Sequence, residues 1–79
     1  MSRPLTLYYR NGCHLCEQML AELHGLYGED CPVALVDVDS EAQLRARFGL
    51  QVPVLMGGEQ ILGSGRLDLA RLEEYLGGK

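Results

Sequence analysis

The chain has 79 residues, of which 47% are apolar and 23% are charged, and its formal net charge is −4. This length predicts a single domain, 1–79, and excludes two separately folded units. An acidic chain with seven scattered Lys and Arg residues lacks the basic surface that nucleic-acid binding requires. No apolar run approaches the roughly 18 residues of a membrane-spanning helix, and the N-terminus carries no secretion signal. We therefore expect a cytoplasmic monomer with neither nucleic acid nor a membrane as a partner.

Hydrophobic periodicity predicts two strands and a helix in the first half of the chain. Residues 5–9 form a short apolar run typical of a buried strand. Across residues 13–27 the apolar side chains recur at helical spacing, and Gly28 follows as a C-terminal cap. Residues 33–39 are rich in β-branched side chains and predict a second strand, buried at its start. We interpret Asp37 and Asp39, at its end, as solvated acids.

The second half of the chain predicts a short helix, a hairpin and a last helix. Ser40 precedes Gln43 by three residues, the spacing of a capping box, so a helix should follow and end before Gly49. Residues 52–56 and 59–62 flank Gly57-Gly58, the pattern of a hairpin with a two-residue turn. Leucines then recur at helical spacing across residues 69–76. The order βαβαββα predicts an α/β fold with a mixed four-stranded sheet flanked by helices.

Two cysteines stand where the first strand leads into the first helix, in the motif Cys13-His14-Leu15-Cys16. Unpaired backbone N–H groups and the helix dipole stabilise a thiolate there, so we expect the pKa of the Cys13 thiol to fall below its free value of about 8.5. Cys16 belongs to the core-facing stripe of the helix. Cys13 is therefore predicted to attack a disulfide and Cys16 to resolve the resulting mixed disulfide. A cationic His14 would lower the pKa of Cys13 further.

The strand–CxxC–helix opening, the triplet Gln51-Val52-Pro53 and the turn Gly63-Ser64-Gly65 together resemble the glutaredoxin-like proteins of the thioredoxin superfamily. The resemblance covers nearly the whole chain and implies a thioredoxin-like fold. It also implies that Pro53 is cis and stacks against the dithiol, and that the Val52 backbone binds an incoming cysteine peptide or glutathione. A cis X-Pro bond would explain a proline within a strand pattern, where an edge position or a special backbone site is otherwise expected.

Three further residues are predicted to bind substrate. Arg10 stands three residues before the first cysteine, where glutaredoxins commonly use Lys to hold a glutathione carboxylate, and a guanidinium can do so bidentately. Ser64 and Gly65 can present backbone N–H groups to an anion at the start of the last helix. The same two residues are equally typical of a flexible turn and helix cap.

The predicted function is thiol–disulfide oxidoreduction acting on protein or glutathione mixed disulfides. The resemblance implies no tightly bound cofactor, with glutathione or a reductase as the electron donor. The alternative is a non-catalytic thioredoxin-like module that holds a partner peptide, zinc or an iron–sulfur cluster in the same groove. A metal would draw on Cys13, Cys16, Cys31 and either His14 or His24, although a second paired motif is missing. Two cysteines at this spacing can also simply line a core. Cys31 is typical of a small buried residue or a loop thiol without a role, and its alternative is a regulatory intermolecular disulfide.

Overall fold

The computed structural model describes residues 4–28 and 32–77. Four strands and three helices alternate in the predicted order, which confirms the α/β class. In chain order they are β1 (Leu5–Tyr9), α1 (His14–Tyr27), β2 (Val33–Asp37), α2 (Ala42–Phe48), β3 (Val54–Gly57), β4 (Gln60–Ser64) and α3 (Leu69–Gly77). Among the described residues, no helix combines the length and apolarity needed to cross a bilayer.

The four strands form one mixed sheet in the order β2-β1-β3-β4. β1 and β2 run parallel, so α1 is the crossover between them, whereas β1–β3 and β3–β4 are antiparallel. Tyr8 near the end of β1 lies opposite Val54 at the start of β3. The C-terminal end of β1 and the segment that precedes β3 therefore meet at the same end of the sheet.

Alternating side chains of the sheet divide the core into two clusters. Leu5 and Leu7 of β1 join Leu23 of α1 and Leu72 of α3 on one face. On the other face, the Tyr8 ring stacks on Phe48 of α2 with 4.5 Å between centroids, at the margin of the second cluster. All four residues of β3 are buried because this inner strand is covered on both faces.

The second strand is shorter and more exposed than the sequence predicts. β2 ends at Asp37, and residues 38–40 form a 3₁₀ turn in place of the predicted strand end. The Asp37 carboxylate accepts the Asp39 N–H at 2.9 Å, which turns the chain out of the extended conformation. Ala34 and Leu35 are exposed, contrary to the predicted buried start, because β2 is an edge strand of the sheet.

The capping box predicted at Ser40 is not formed. Glu41 is the N-cap of α2 and makes no side-chain capping hydrogen bond. The Ser40 hydroxyl instead donates to the Asp37 carbonyl at 2.7 Å, within the 3₁₀ turn. This local bond takes the hydroxyl away from the helix terminus, so the predicted capping interaction was wrong.

The hairpin turn lies one residue further along than predicted. Gly57 is still part of β3 and pairs with Gln60, so Gly58 and Glu59 form the turn. Gly58 alone of the two glycines has a positive φ, 63°. Gly57 serves packing instead, because a Cβ there would lie 2.7 Å from ring carbons of Tyr75. The hairpin itself is confirmed, with its second strand extending to Ser64.

Candidate active site

Cys13 and Cys16 form a disulfide at the N-terminus of α1. Their Cα atoms are 5.2 Å apart, within the usual range for a disulfide. Cys13 is the N-cap residue, and its Sγ accepts a hydrogen bond from the Cys16 backbone N–H at 3.2 Å. This sulfur therefore takes the place of the hydroxyl or carboxylate oxygen that usually caps a helix. A developing negative charge on it would face the positive end of the helix dipole.

The chain reaches this position through a tight turn after β1. Gly12 has a φ of 77°, a conformation that L side chains rarely adopt. The Cys13 N–H donates to the Arg10 carbonyl at 3.1 Å and closes the turn. Only four residues therefore separate the end of β1 at Tyr9 from the start of α1 at His14, as the strand–CxxC–helix pattern predicts.

The two sulfur-bearing residues differ in their access to solvent. Cys16 is 4% exposed and lies against the core, whereas Cys13 is only partly buried. Between them, His14 is exposed and Leu15 is 51% exposed. The predicted contrast between an accessible first cysteine and a buried second one is present in the structure.

The predicted cis peptide bond is present between Val52 and Pro53. Pro53 is buried and immediately precedes β3, at the end of the sheet where β1 also ends. Its carbonyl accepts the Gly65 N–H at 2.8 Å, and the Ser64 hydroxyl donates to the Gln51 carbonyl at 3.5 Å. The structure therefore joins the two segments predicted to bind substrate. Binding by these residues stays a prediction.

Arg10 has a partner that the sequence interpretation missed. Its Nε and Nη2 donate to the two carboxylate oxygens of Asp39 at 3.1 and 3.3 Å, and Arg45 Nη1 lies 3.9 Å from the same carboxylate. Asn11 Nδ2 donates to the Asp37 carboxylate at 3.3 Å. Asp37 and Asp39, which the sequence predicts to be solvated, therefore bind Asn11 and Arg10, the two residues that follow β1.

Two concave surfaces adjoin the disulfide end of α1. A cavity of about 210 Å³ is lined by both cysteines together with Arg10, Glu17 and other residues. A larger groove of about 980 Å³ runs along α1 and includes Leu15, Ser64 and Gly65 but neither cysteine. Of the two, only the smaller cavity is lined by both cysteines.

Residues 4–28 and 32–77 contain no cluster of side chains that could hold the metal ion of the alternative prediction. No three His, Cys, Asp or Glu side chains converge there at metal-binding distance. His24 is partly buried in the last turn of α1, far along the helix from the cysteine pair. Cys31 lies outside the described residues, so its predicted roles are not tested.

Comparison with known proteins agrees with this geometry. Residues 4–77 match the glutaredoxin-like domain, DUF836. The solution NMR structure of protein Ne2328 from Nitrosomonas europaea is 32% identical with a TM-score of 0.82, over 96% of this chain and 93% of that one. The X-ray structure of protein XcR50 from X. campestris is 32% identical with a TM-score of 0.70, over 95% and 97%. A search of curated proteins gives no match.

These matches confirm the thioredoxin-like fold that the motifs imply. Together with the Cys13–Cys16 pair they support a thioredoxin-like redox function in general terms. The family match spans all of the described residues and is not confined to the motif. The chain therefore belongs to the glutaredoxin-like (DUF836) domain family.

Proposed function

We propose that this protein is a thiol–disulfide oxidoreductase that reduces protein or glutathione mixed disulfides. The observation that carries the proposal is the Cys13–Cys16 disulfide at a helix N-terminus, with a backbone N–H directed at the Cys13 sulfur. The same arrangement that caps the helix stabilises a thiolate, which is the reactive form of cysteine.

The reaction divides the roles between the two cysteines by their access. The Cys13 thiolate attacks a substrate disulfide, forms a mixed disulfide and releases one substrate thiolate. The Cys16 thiol then loses its proton and attacks the Cys13 sulfur, which releases the second substrate thiol and forms the Cys13–Cys16 disulfide. Two electrons pass from the dithiol to the substrate. The buried position of Cys16 suits an internal attack and keeps it from external disulfides.

Substrate is held by backbone groups on either side of the cis bond. The Gly65 N–H is already bound to the Pro53 carbonyl, so the β4–α3 turn fixes the position of the cis-proline segment. Val52 and Pro53 then offer an extended edge to a cysteine-containing peptide or to glutathione, with Ser64 and Gly65 beside them. Arg10 provides a cation, and His14 raises the thiolate population of Cys13.

The catalytic cycle needs no tightly bound organic cofactor. Two glutathione molecules or a reductase supply the electrons that restore the dithiol. We propose that the protein acts as a cytoplasmic monomer, with a disulfide-bearing protein or glutathione as its partner.

One observation favours a second candidate, a non-catalytic module that holds a partner peptide. Leu15, Leu26 and Leu69 line the groove along α1 and are each about half exposed. Exposed leucines around a groove are typical of a surface that contacts another protein. In this candidate the cysteine pair is a structural disulfide and undergoes no turnover.

Intact mass combined with a turnover assay separates the two candidates. The reduced protein is offered a model disulfide with glutathione or a thioredoxin reductase as the donor, in parallel. Oxidoreductase activity predicts a reversible mass change of two hydrogens and turnover with at least one donor, both lost in Cys13→Ser. A disulfide that resists both donors, without turnover, would contradict the proposal and favour the peptide-binding module.

A further inference from the structure

The cavity beside the disulfide contains one cationic side chain. Among the residues that the structure describes, Arg10 is the only Lys or Arg that lines this cavity together with Cys13 and Cys16. Glu17 also lines it, so the cavity itself carries one charge of each sign. A small thiol that bears a carboxylate and exchanges with Cys13 would find its favourable charge contact at Arg10.

That cation already holds a carboxylate of the chain itself. Asp39 accepts from two nitrogen atoms of the Arg10 guanidinium, at 3.1 and 3.3 Å, in the fork arrangement that arginine forms with carboxylates. A Cβ built on Gly49 would lie 3.1 Å from Arg10 Nη2, so the guanidinium also packs closely on the backbone after α2. Arg10 is thus held between a carboxylate and a backbone segment.

The carboxylate that engages Arg10 is itself fixed in position. The Asp39 backbone N–H is bound to the Asp37 carboxylate at 2.9 Å, and Asp37 in turn accepts from Asn11 at 3.3 Å. These bonds tie the 3₁₀ turn after β2 to the turn that leads into Cys13. An incoming carboxylate therefore has to compete with an ordered intramolecular carboxylate that already occupies two nitrogen atoms of the guanidinium and offsets its charge.

We propose that Asp39 is a specificity-determining residue that acts through Arg10 and disfavours carboxylate-bearing thiols such as glutathione at the dithiol. The inference rests on the proposed oxidoreductase function and names the preferred partner of that site. The preferred partner is a cysteine within a polypeptide, whose neighbours are amides and carry no obligatory carboxylate. Both Arg10 and Asp39 are partly exposed, so the discrimination is a factor of a few and not an absolute block.

The step that reports this selection is reduction of the Cys13–Cys16 disulfide. One thiolate attacks the Cys13 sulfur, which forms a mixed disulfide and releases the Cys16 thiolate, and this thiolate takes up a proton. A second thiolate attacks the sulfur of the bound thiol, releasing its disulfide and the Cys13 thiolate. Two external thiols are oxidised and one protein disulfide is reduced.

The experiment compares glutathione with its diethyl ester, which keeps the thiol and the amine but has no free carboxylate. The rate at which each thiol reduces the disulfide is followed by acid quenching, alkylation and intact mass. In Asp39→Asn the ratio of the glutathione rate to the ester rate should rise roughly two- to fivefold, the range of one exposed charge pair. An altered dithiol reactivity changes both rates together and cancels in this ratio.

Three further variants isolate the charge contact. Glu41→Gln is the matched control. It removes a negative charge two residues after Asp39, and the Glu41 side chain makes no capping hydrogen bond, so the ratio should stay unchanged. Asp39→Glu keeps the carboxylate and should resemble the unaltered chain. Adding Arg10→Gln to Asp39→Asn should abolish the gain, since the freed cation is then missing.

An unchanged ratio in Asp39→Asn would overturn the inference, as would an equal rise in Glu41→Gln. Failure of both thiols to reduce the disulfide in the unaltered protein is a different result. It would overturn the inference, because neither thiol then exchanges at Cys13, and it would contradict the proposed oxidoreductase function only if a thioredoxin reductase also failed to reduce the disulfide.

Discussion

The backbone N–H of Cys16 donates to the Sγ of Cys13 at 3.2 Å, so one member of the cysteine pair caps the helix that carries the other. The bond links reactivity to fold, because the group that completes the helix terminus is also the accessible sulfur. Replacing either cysteine should therefore have distinct consequences.

Cys13→Ser should abolish disulfide reduction, because serine cannot form the mixed disulfide. Cys16→Ser keeps the nucleophile but has no thiol to resolve the intermediate, so it should accumulate mixed disulfides with substrate. Non-reducing electrophoresis and intact mass after incubation with a model protein disulfide would reveal the adduct. Equal loss of activity in both variants, without an adduct in Cys16→Ser, would contradict the assignment of roles.

His14→Ala should raise the pKa of the Cys13 thiol, because the variant lacks a side chain that, when protonated, attracts the neighbouring thiolate. The pH dependence of Cys13 alkylation in the reduced protein measures this change. His24→Ala removes a histidine from the last turn of the same helix and is the matched control. A Cys13 titration that is identical in His14→Ala would remove this residue from the site.

Gly57→Ala should destabilise the fold by about 1–3 kcal/mol, the usual cost of overpacking a core. The added methyl would lie 2.7 Å from Tyr75 ring carbons and from Leu62 Cδ1. Gly25→Ala is the opposite case, since nothing lies within 4 Å of a Cβ at this helical position. It should stabilise by about 0.5–1 kcal/mol through helix propensity. Urea denaturation of the two variants tests both signs, and a stable Gly57→Ala would refute the packing argument.

Leu23→Ala and Leu26→Ala compare two leucines of α1 on opposite sides of the burial boundary. Leu23 is fully buried, so Leu23→Ala should lower the free energy of unfolding by about 2–5 kcal/mol, the range for truncating a core leucine. Leu26 is 52% exposed, so its loss should change the free energy of unfolding by about 0.5 kcal/mol or less. Similar destabilisation by both variants in urea titrations would show that the placement of α1 is wrong.

Short-range sequence patterns predicted where the helices and strands lie, whereas contacts between distant segments determine the burial and the partners of their side chains. The apolar period of residues 14–27 and the glycines after each helix are short-range patterns, so α1 and α2 lie where the sequence places them. Cys13 and Cys16 are equally local, because a spacing of three residues at a strand–helix junction already determines their proximity.

The errors arose where two segments meet. The Arg10–Asp39 pair joins residues 29 apart, and no local pattern distinguishes a partnered aspartate from a solvated one. Gly57 resembles a turn glycine in sequence, yet the ring of Tyr75 on α3 accounts for it. The exposure of Leu35 depends on β2 being an edge strand, which the order of elements along the chain does not reveal.

The pH dependence of Cys13 alkylation measures directly whether the N-terminus of α1 activates this sulfur. In fully reduced protein, the rate of reaction with iodoacetamide is followed at this residue by peptide mass across the pH range. We expect the thiolate of Cys13 to form at a pH well below the free-cysteine value of about 8.5, and Cys16 to react far more slowly. A Cys13 pKa at or above that value would contradict the claim that the helix N-terminus activates the sulfur.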